Sequence, residues 1–126
     1  MAVTPTFPGT PNIESASIAT ADTSRTGPTN YGTIFTAGTN GSVVYRVFVK
    51  AISNTTAGLV LLFLHDGTNW RVLKEIPTAT VTVSGTVPSW EDEITFSDLI
   101  LETGWTLRVS TYNGDDFHVV ATGAHF

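Results

Sequence analysis

Residues Leu59 to Ile76 read LVLLFLHDGTNWRVLKEI, and this stretch decides the fold class. An apolar run, an Asp-Gly pair and a second run of mixed character make a β-hairpin signature. The first run, Leu59–His65, is apolar on both faces, which marks a central strand. The same logic returns at Trp105 to Val120, WTLRVSTYNGDDFHVV, with Asn113-Gly114 in the turn position. Both pairs suit a type I′ turn, whose two central residues need positive φ. On that reading a β-branched residue at Gly114 is expected to strain the turn.

Working outward, Ser42 to Ser53 alternates cleanly. Val43, Tyr45, Val47, Val49 and Ala51 are expected on one face, and Val44, Arg46, Phe48 and Lys50 on the other. Further strands are expected at Ser15–Ala21, Gly32–Ala37, Trp90–Phe96, Leu99–Glu102 and Phe117–Thr122, with Ala79–Val83 as an edge strand between Pro77 and Pro88. No segment sustains a 3.6-residue period. Seven to nine short strands predict an all-β domain, an antiparallel two-sheet β-sandwich of jelly-roll type. Residues 1–14 hold Pro5, Pro8 and Pro11, which favour extended backbone. They are expected to form an arm ahead of a sandwich over 15–126, with Phe7 and Ile13 as anchors on a neighbouring subunit.

The chain has 126 residues, enough for one domain and one core. Only 13% of residues are charged, where about a quarter is usual. Its 22 threonines fill the gap with β-branched side chains that keep a hydroxyl for solvent or partners. The net charge is −5, and Arg46, Lys50, Arg71, Lys74 and Arg108 are scattered singly. Such a chain lacks the basic stripe that nucleic-acid binding requires. With no cysteine, neither disulfides nor thiolate metal sites arise. The start lacks the pattern of a signal peptide, and Leu59–Leu64 falls far short of the roughly 20 residues that span a bilayer. Synthesis in the cytoplasm without membrane association is expected.

No catalytic, metal or cofactor constellation emerges from the residue types. His65, His118 and His125 form no His-x-His pair of the kind that seeds a zinc site, and no Gly-x-Ser-x-Gly elbow is present. Glu91, Asp92 and Glu93 form the densest acidic cluster, read as a solvated edge rather than a glycosidase pair. Asp115-Asp116 lacks the spacing of a calcium loop. Trp70 and Trp105 fall in phase with core positions. Trp90, beside Pro88 and the acidic cluster, is the best candidate among the indoles for a partner contact.

TADTSRTGPTNYGTIFTAGTNGSVVYRVFVKA (20–51), LVLLFLHDGTNWRVLKEIP (59–77), TVPSWEDEITF (86–96) and LILETGWTLRVSTYNGDDFHVVATG (99–123) together resemble small β proteins encoded by tailed phages and prophages among their virion structural genes. The resemblance carries no active-site motif. It implies a structural role, foremost as a decoration or cement protein on the outer head surface. The implied partners are the major capsid protein and copies of itself, as a homotrimer. A receptor- or glycan-binding module of a head or tail fibre, using Trp90, Tyr112 and the loop tips, is the alternative.

Overall fold

The computed structural model describes residues 9–126, which form eight strands and no helix. They are β1 (Thr10–Ile18), β2 (Gly32–Thr36), β3 (Ser42–Ala51), β4 (Gly58–His65), β5 (Trp70–Thr78), β6 (Glu91–Leu101), β7 (Thr106–Thr111) and β8 (Phe117–His125). Two four-stranded sheets result, sheet A in the order β1-β8-β3-β6 and sheet B in the order β2-β7-β4-β5, and the pairing of the strands is antiparallel throughout. The chain is thus an all-β, antiparallel β-sandwich. Val44, Val47, Val49, Ala51, Phe117, Val119 and Ala121 of sheet A meet Ile34, Phe35, Val60, Leu62, Ile76, Leu107 and Val109 of sheet B in one core.

Three bulges set which side chains reach that core. One between Val44 and Arg46 breaks the alternation of β3. Val44 therefore joins Val47 and Val49 inside, while Tyr45 stands 42% exposed, correcting the uninterrupted face expected from Val43 to Ala51. A second, between Thr33 and Phe35, lets the adjacent Ile34 and Phe35 both be fully buried. The third falls between Leu62 and Phe63, opposite β5.

The two turns expected to be alike are not alike. At Asp66-Gly67 the chain does make a hairpin, since β4 pairs with β5. The loop spans Asp66 to Asn69, and the Asp66 Oδ1 accepts from the N–H groups of Thr68 (3.0 Å) and Asn69 (2.7 Å). Only Gly67 has positive φ, at 96°, so the turn is not type I′. Asn113-Gly114, by contrast, carries the chain from β7 in sheet B to β8 in sheet A, and Gly114 is not among the positive-φ glycines. This corrects the hairpin expected there. The Asn113 Nδ2 donates to Thr56 Oγ1 and Ala57 O, both at 2.9 Å, and Asp115 Oδ2 accepts from Thr56 N at 3.0 Å. Tertiary contacts, not turn type, select these residues.

The boundary at residue 14 also moves. β1 begins at Thr10 and pairs with β8 from Thr10↔His125 to Ile18↔Phe117, so residues 10–14 belong to the sheet. Pro11 is tolerated because β1 is an edge of sheet A, as is Pro77 on β5, an edge of sheet B. Glu14 ties the two sheets together at that side: its Oε2 accepts from Thr36 N on β2 at 2.9 Å. Ala79–Val83 makes no strand, only an isolated bridge between Thr55 and Val81. The pieces expected at Trp90–Phe96 and Leu99–Glu102 are one strand, β6.

Candidate interaction face

The register of sheet A aligns its outward side chains in four rows running from β1 to β6. They are Pro11–Ala124–Val43–Ile100, Ile13–Thr122–Arg46–Thr95, Ser15–Val120–Phe48–Glu93 and Ser17–His118–Lys50–Glu91. The alternate rows hold the core residues, because successive side chains of a strand point to opposite faces. Ile13 is 69% exposed, Ile100 54% and Phe48 36%. Val43 and Ala124, at 6% each, lie between the exposed Pro11 and Ile100 of the first row. Toward the other end the face becomes charged, with Arg46 3.5 Å from Glu93 and Lys50 3.1 Å from Glu91. The Pro11–Ala124–Val43–Ile100 row is thus apolar, with Glu102 beyond Ile100 at its margin, and the other end carries a cationic column on β3 beside an anionic one on β6.

Sheet B presents a different exterior. Leu61 and Phe63 alternate with the core residues Val60 and Leu62, yet both are fully buried. The β1–β2 connection, residues 19–31, covers them as a strap. Asp22 N donates to Thr111 O at 2.8 Å, Arg25 bonds to Glu75, Pro28 is buried and Gly27 lies against Trp70. The strap is organised by the Asp22 carboxylate, which accepts from the N–H groups of Ser24 (3.0 Å), Thr29 (2.8 Å) and Asn30 (3.0 Å). Those bonds, Asn30 first, hold the Asp22 carboxyl below the usual range, because they favour the ionised form. Beneath the strap the Arg108 guanidinium lies 4.7 Å from the Tyr31 ring and 4.8 Å from the Trp70 ring. Thr106 Oγ1, Arg108 Nε and Ser110 Oγ, buried on this side of β7, find no hydrogen-bond partner among the described residues.

The sequence candidates are dispersed across these surfaces. Phe7 lies outside the described residues. Ile13 stands on the open face of sheet A. Trp90 precedes β6, half-buried, its ring edge-on to Phe117 at 5.8 Å, so most of its contact is with this chain's own core. Trp70, expected in the core, instead sits on the exterior side of sheet B among Phe63, His65 and Tyr31, with centroids 4.9–5.3 Å away. Tyr112, 37% exposed, faces Arg25 at 5.8 Å.

The three histidines do not converge. His65 lies under the strap region, and its Nδ1 accepts from Gly67 N at 3.2 Å. Burial pushes its imidazole pKa down, the Arg108 charge adds to this, and Asp66 opposes it. His118 is exposed on sheet A. His125 Nδ1 lies 2.5 Å from Ser42 Oγ, but Ser42 is fully buried and its oxygen also accepts from Gly38 N, so this hydroxyl ties a turn rather than meeting a substrate. Among the described residues no group of three or more His, Cys, Asp or Glu could hold a metal ion. Glu91 and Glu93, which share a row direction, each face a cation of β3 rather than one another across a cleft.

No protein-family model matches the sequence, and no curated protein does. Among solved structures, a chain of the capsid asymmetric unit of cyanophage Pam1 is similar over 100% of this chain and 92% of its own length, with a TM-score of 0.48 and 19% identity. A pentameric capsid protein isolated from metagenomic phage sequences is similar over 90% of this chain and 61% of its own length, with a TM-score of 0.41 and 18% identity.

Proposed function

We propose that this chain is a structural protein of a phage virion, a decoration or cement protein that attaches to the outside of the head through the outer face of sheet A. The observation that carries this reading is the open face itself, where Ile13, Ile100, Tyr45 and Phe48 are exposed beside two columns of opposite charge. Isolated exposed apolar residues need no explanation, but several on one flat face mark an interaction surface. The sequence resemblance spanning residues 20–123 supports the same role. So does the balance of charge: an acidic, sparsely charged chain suits a position facing away from DNA. The partners on this reading are the major capsid protein and further copies of the chain. We also read the strand order as a jelly roll, since every connection except the β4–β5 hairpin crosses between the sheets.

The test is attachment to particles. Purified protein is mixed with heads that lack it, the heads are pelleted, and bound copies are counted against the major capsid protein. Saturation at a copy number comparable with the capsid protein is expected, with Ile13→Asp and Phe48→Asp each lowering occupancy. A saturating number that is a small fraction of the capsid protein would point to the fibre alternative. Binding that both substitutions leave unchanged would remove sheet A from the interface.

A further inference from the structure

We infer that residues 1–8 fold back across the end of this chain's own sheet A and dock Phe7 in an apolar furrow there, giving sheet A a short strap of its own. The furrow follows from the register. Two residues beyond the row Pro11–Ala124–Val43–Ile100, the same outward face continues as Gly9, Phe126, Gly41 and Glu102. Bonds from Gly9 N to His125 O (2.9 Å) and from Phe126 N to Gly41 O (3.1 Å) hold this last row in line. Two of its four positions are glycine, so neither neighbour of Phe126 in the row has a side chain. Toward β6 the row opens into a depression of about 340 Å³, lined by Phe126, Gly41, Ile100 and Leu101 together with the polar Asn40, Glu102 and Thr103. The wall behind it is apolar, with Val43 and Ala124 each 6% exposed and Ile100 54% exposed.

The segment ahead of Gly9 has the matching chemistry. Residues 1–8, MAVTPTFP, include Met1, Val3 and Phe7 and no charged side chain, so they bring no side chain that Glu102 would repel. Glu102 itself is exposed, which leaves its carboxylate in water. A segment that crosses the ends of strands takes no part in a ladder, and Pro5 and Pro8 cost it no hydrogen bond. Pro8-Gly9 is a turn pair, placed where the path has to leave the line of β1.

Reach and tethering select the chain's own segment. From Gly9 to Glu102 is three strand spacings, about 14 Å, and eight extended residues span about 26 Å. Phe7 lies two residues from Gly9, within about 7 Å of it, which brings its ring to Phe126 and Gly41. Val3 and Met1 have length to continue toward Ile100. A segment on so short a tether is present at an effective concentration on the order of millimolar, whereas a second copy would lose translational and rotational freedom on docking. The inference goes beyond the attachment reading and does not rest on it. With the end row covered, the outer face left for a partner is the rows of Ile13 and Phe48.

Because the sequence has no cysteine, Ala2→Cys gives a single attachment point for a nitroxide spin label. ¹⁵N-labelled protein carrying the nitroxide is mixed with a large excess of nitroxide-free protein of natural isotope content, and amide signals are compared before and after reduction of the nitroxide. Strong signal loss at Gly41, Ile100, Leu101 and Glu102 is expected, and it should survive the dilution. Adding Phe7→Ser should restore the signals of Ile100 and Leu101 while leaving the rest of the spectrum in place. Ile100→Asp, at a residue 54% exposed, is the second variant and should restore the signals of Leu101 and Glu102. Loss that vanishes on dilution would overturn the inference in favour of a segment docked on another copy. Loss that falls off evenly with distance from Gly9 on both sheets, unchanged by Phe7→Ser, would overturn it in favour of a segment with no dock.

Discussion

On the outside of sheet B, Leu61 and Phe63 are fully buried beneath residues 19–31 of the same chain; on the outside of sheet A, Ile13 and Ile100 stand 69% and 54% exposed, with no strap from the described residues across them. Each sheet has four strands and a row pattern that places apolar side chains outward. What differs is the connection available to cover them. The β1–β2 segment leaves sheet A, crosses to sheet B and closes on it through Asp22, Pro28 and Tyr31. No equivalent segment among the described residues returns to sheet A. A face that the fold covers by itself contributes to stability, whereas a face left bare with apolar side chains is available to a partner.

The sharpest way to break this comparison is a matched pair of truncations. Phe63→Ala removes a fully buried ring under the strap and is expected to destabilise the chain by about 3–5 kcal/mol. Phe48→Ala removes a ring that is 36% exposed on sheet A, with an expected change of about 1 kcal/mol or less. Denaturant unfolding of both variants measures the difference. Equal losses would mean that the two exteriors are equivalent in the isolated chain.

Acid should loosen sheet B's exterior before it affects sheet A. His65 has its pKa lowered, so the unfolded chain binds its proton more readily than the folded one. The stability tied to neutral His65 is therefore fully present above about pH 6.5 and is lost as pH falls through the lower folded value. Asp22 and Asp66 are also lowered, by backbone N–H bonds from Asn30 and Asn69 first. Their contribution is present above about pH 3.9 and fades below it as each carboxylate is protonated. Melting temperature against pH is expected to fall in two stages, with indole fluorescence reporting exposure of Trp70. His65→Gln should flatten the upper stage, and Asp22→Asn should diminish the lower one. A melting temperature constant between about pH 7 and pH 5 would show that His65 is not coupled to the fold.

The sandwich was legible in the sequence because its signals are local. Alternation, a two-faced apolar strand at Leu59–His65 and an Asp-Gly turn all lie within a few residues of one another. The difference between the Asp66-Gly67 and Asn113-Gly114 turns was not legible, because it depends on where β8 finds its partners, β1 and β3, far away in sequence. Positive φ at Gly67 and not at Gly114 gives that difference a measurable form. Gly67→Ala is expected to cost about 1 kcal/mol, while Gly114→Ala, where a Cβ would meet only Ala19 O at 3.7 Å, should be neutral or stabilise by up to about 1 kcal/mol. Thermal unfolding of the two variants checks this, and equal destabilisation would restore the turn expected from the dipeptide. The strap also leaves a trace in the sequence. A central strand apolar on both faces requires two covers in a chain with no helix, and Gly27-Pro28 with Asp22 upstream is the segment equipped to provide the second. The surroundings of the contact candidates differ in the same way: the exposure of Ile13 follows from edge-strand alternation, whereas the packing of Trp90 on Phe117 depends on a distant strand.

The smallest effect expected is also the most diagnostic for the open face. Lys50 and Glu91 are 3.1 Å apart with side chains 45% and 70% exposed, so water screens their attraction and both side chains lose freedom in pairing. A double-mutant cycle with Lys50→Ala and Glu91→Ala in the isolated chain should give a coupling of about 0.2–1 kcal/mol. Raising the salt concentration to about 1 M shortens the Debye length to about 3 Å and should shrink that coupling further. If sheet A is the face through which the chain binds, the same pair is desolvated in the assembly, its energy rises, and removing one partner leaves the other charge unpaired. The substitutions that barely alter unfolding are then the ones that weaken attachment to the particle. A large, salt-insensitive coupling already present in the isolated chain would mean that the pair is shielded from water without any partner. Sheet A would then be no more open than sheet B, and the contrast between the two faces would fail.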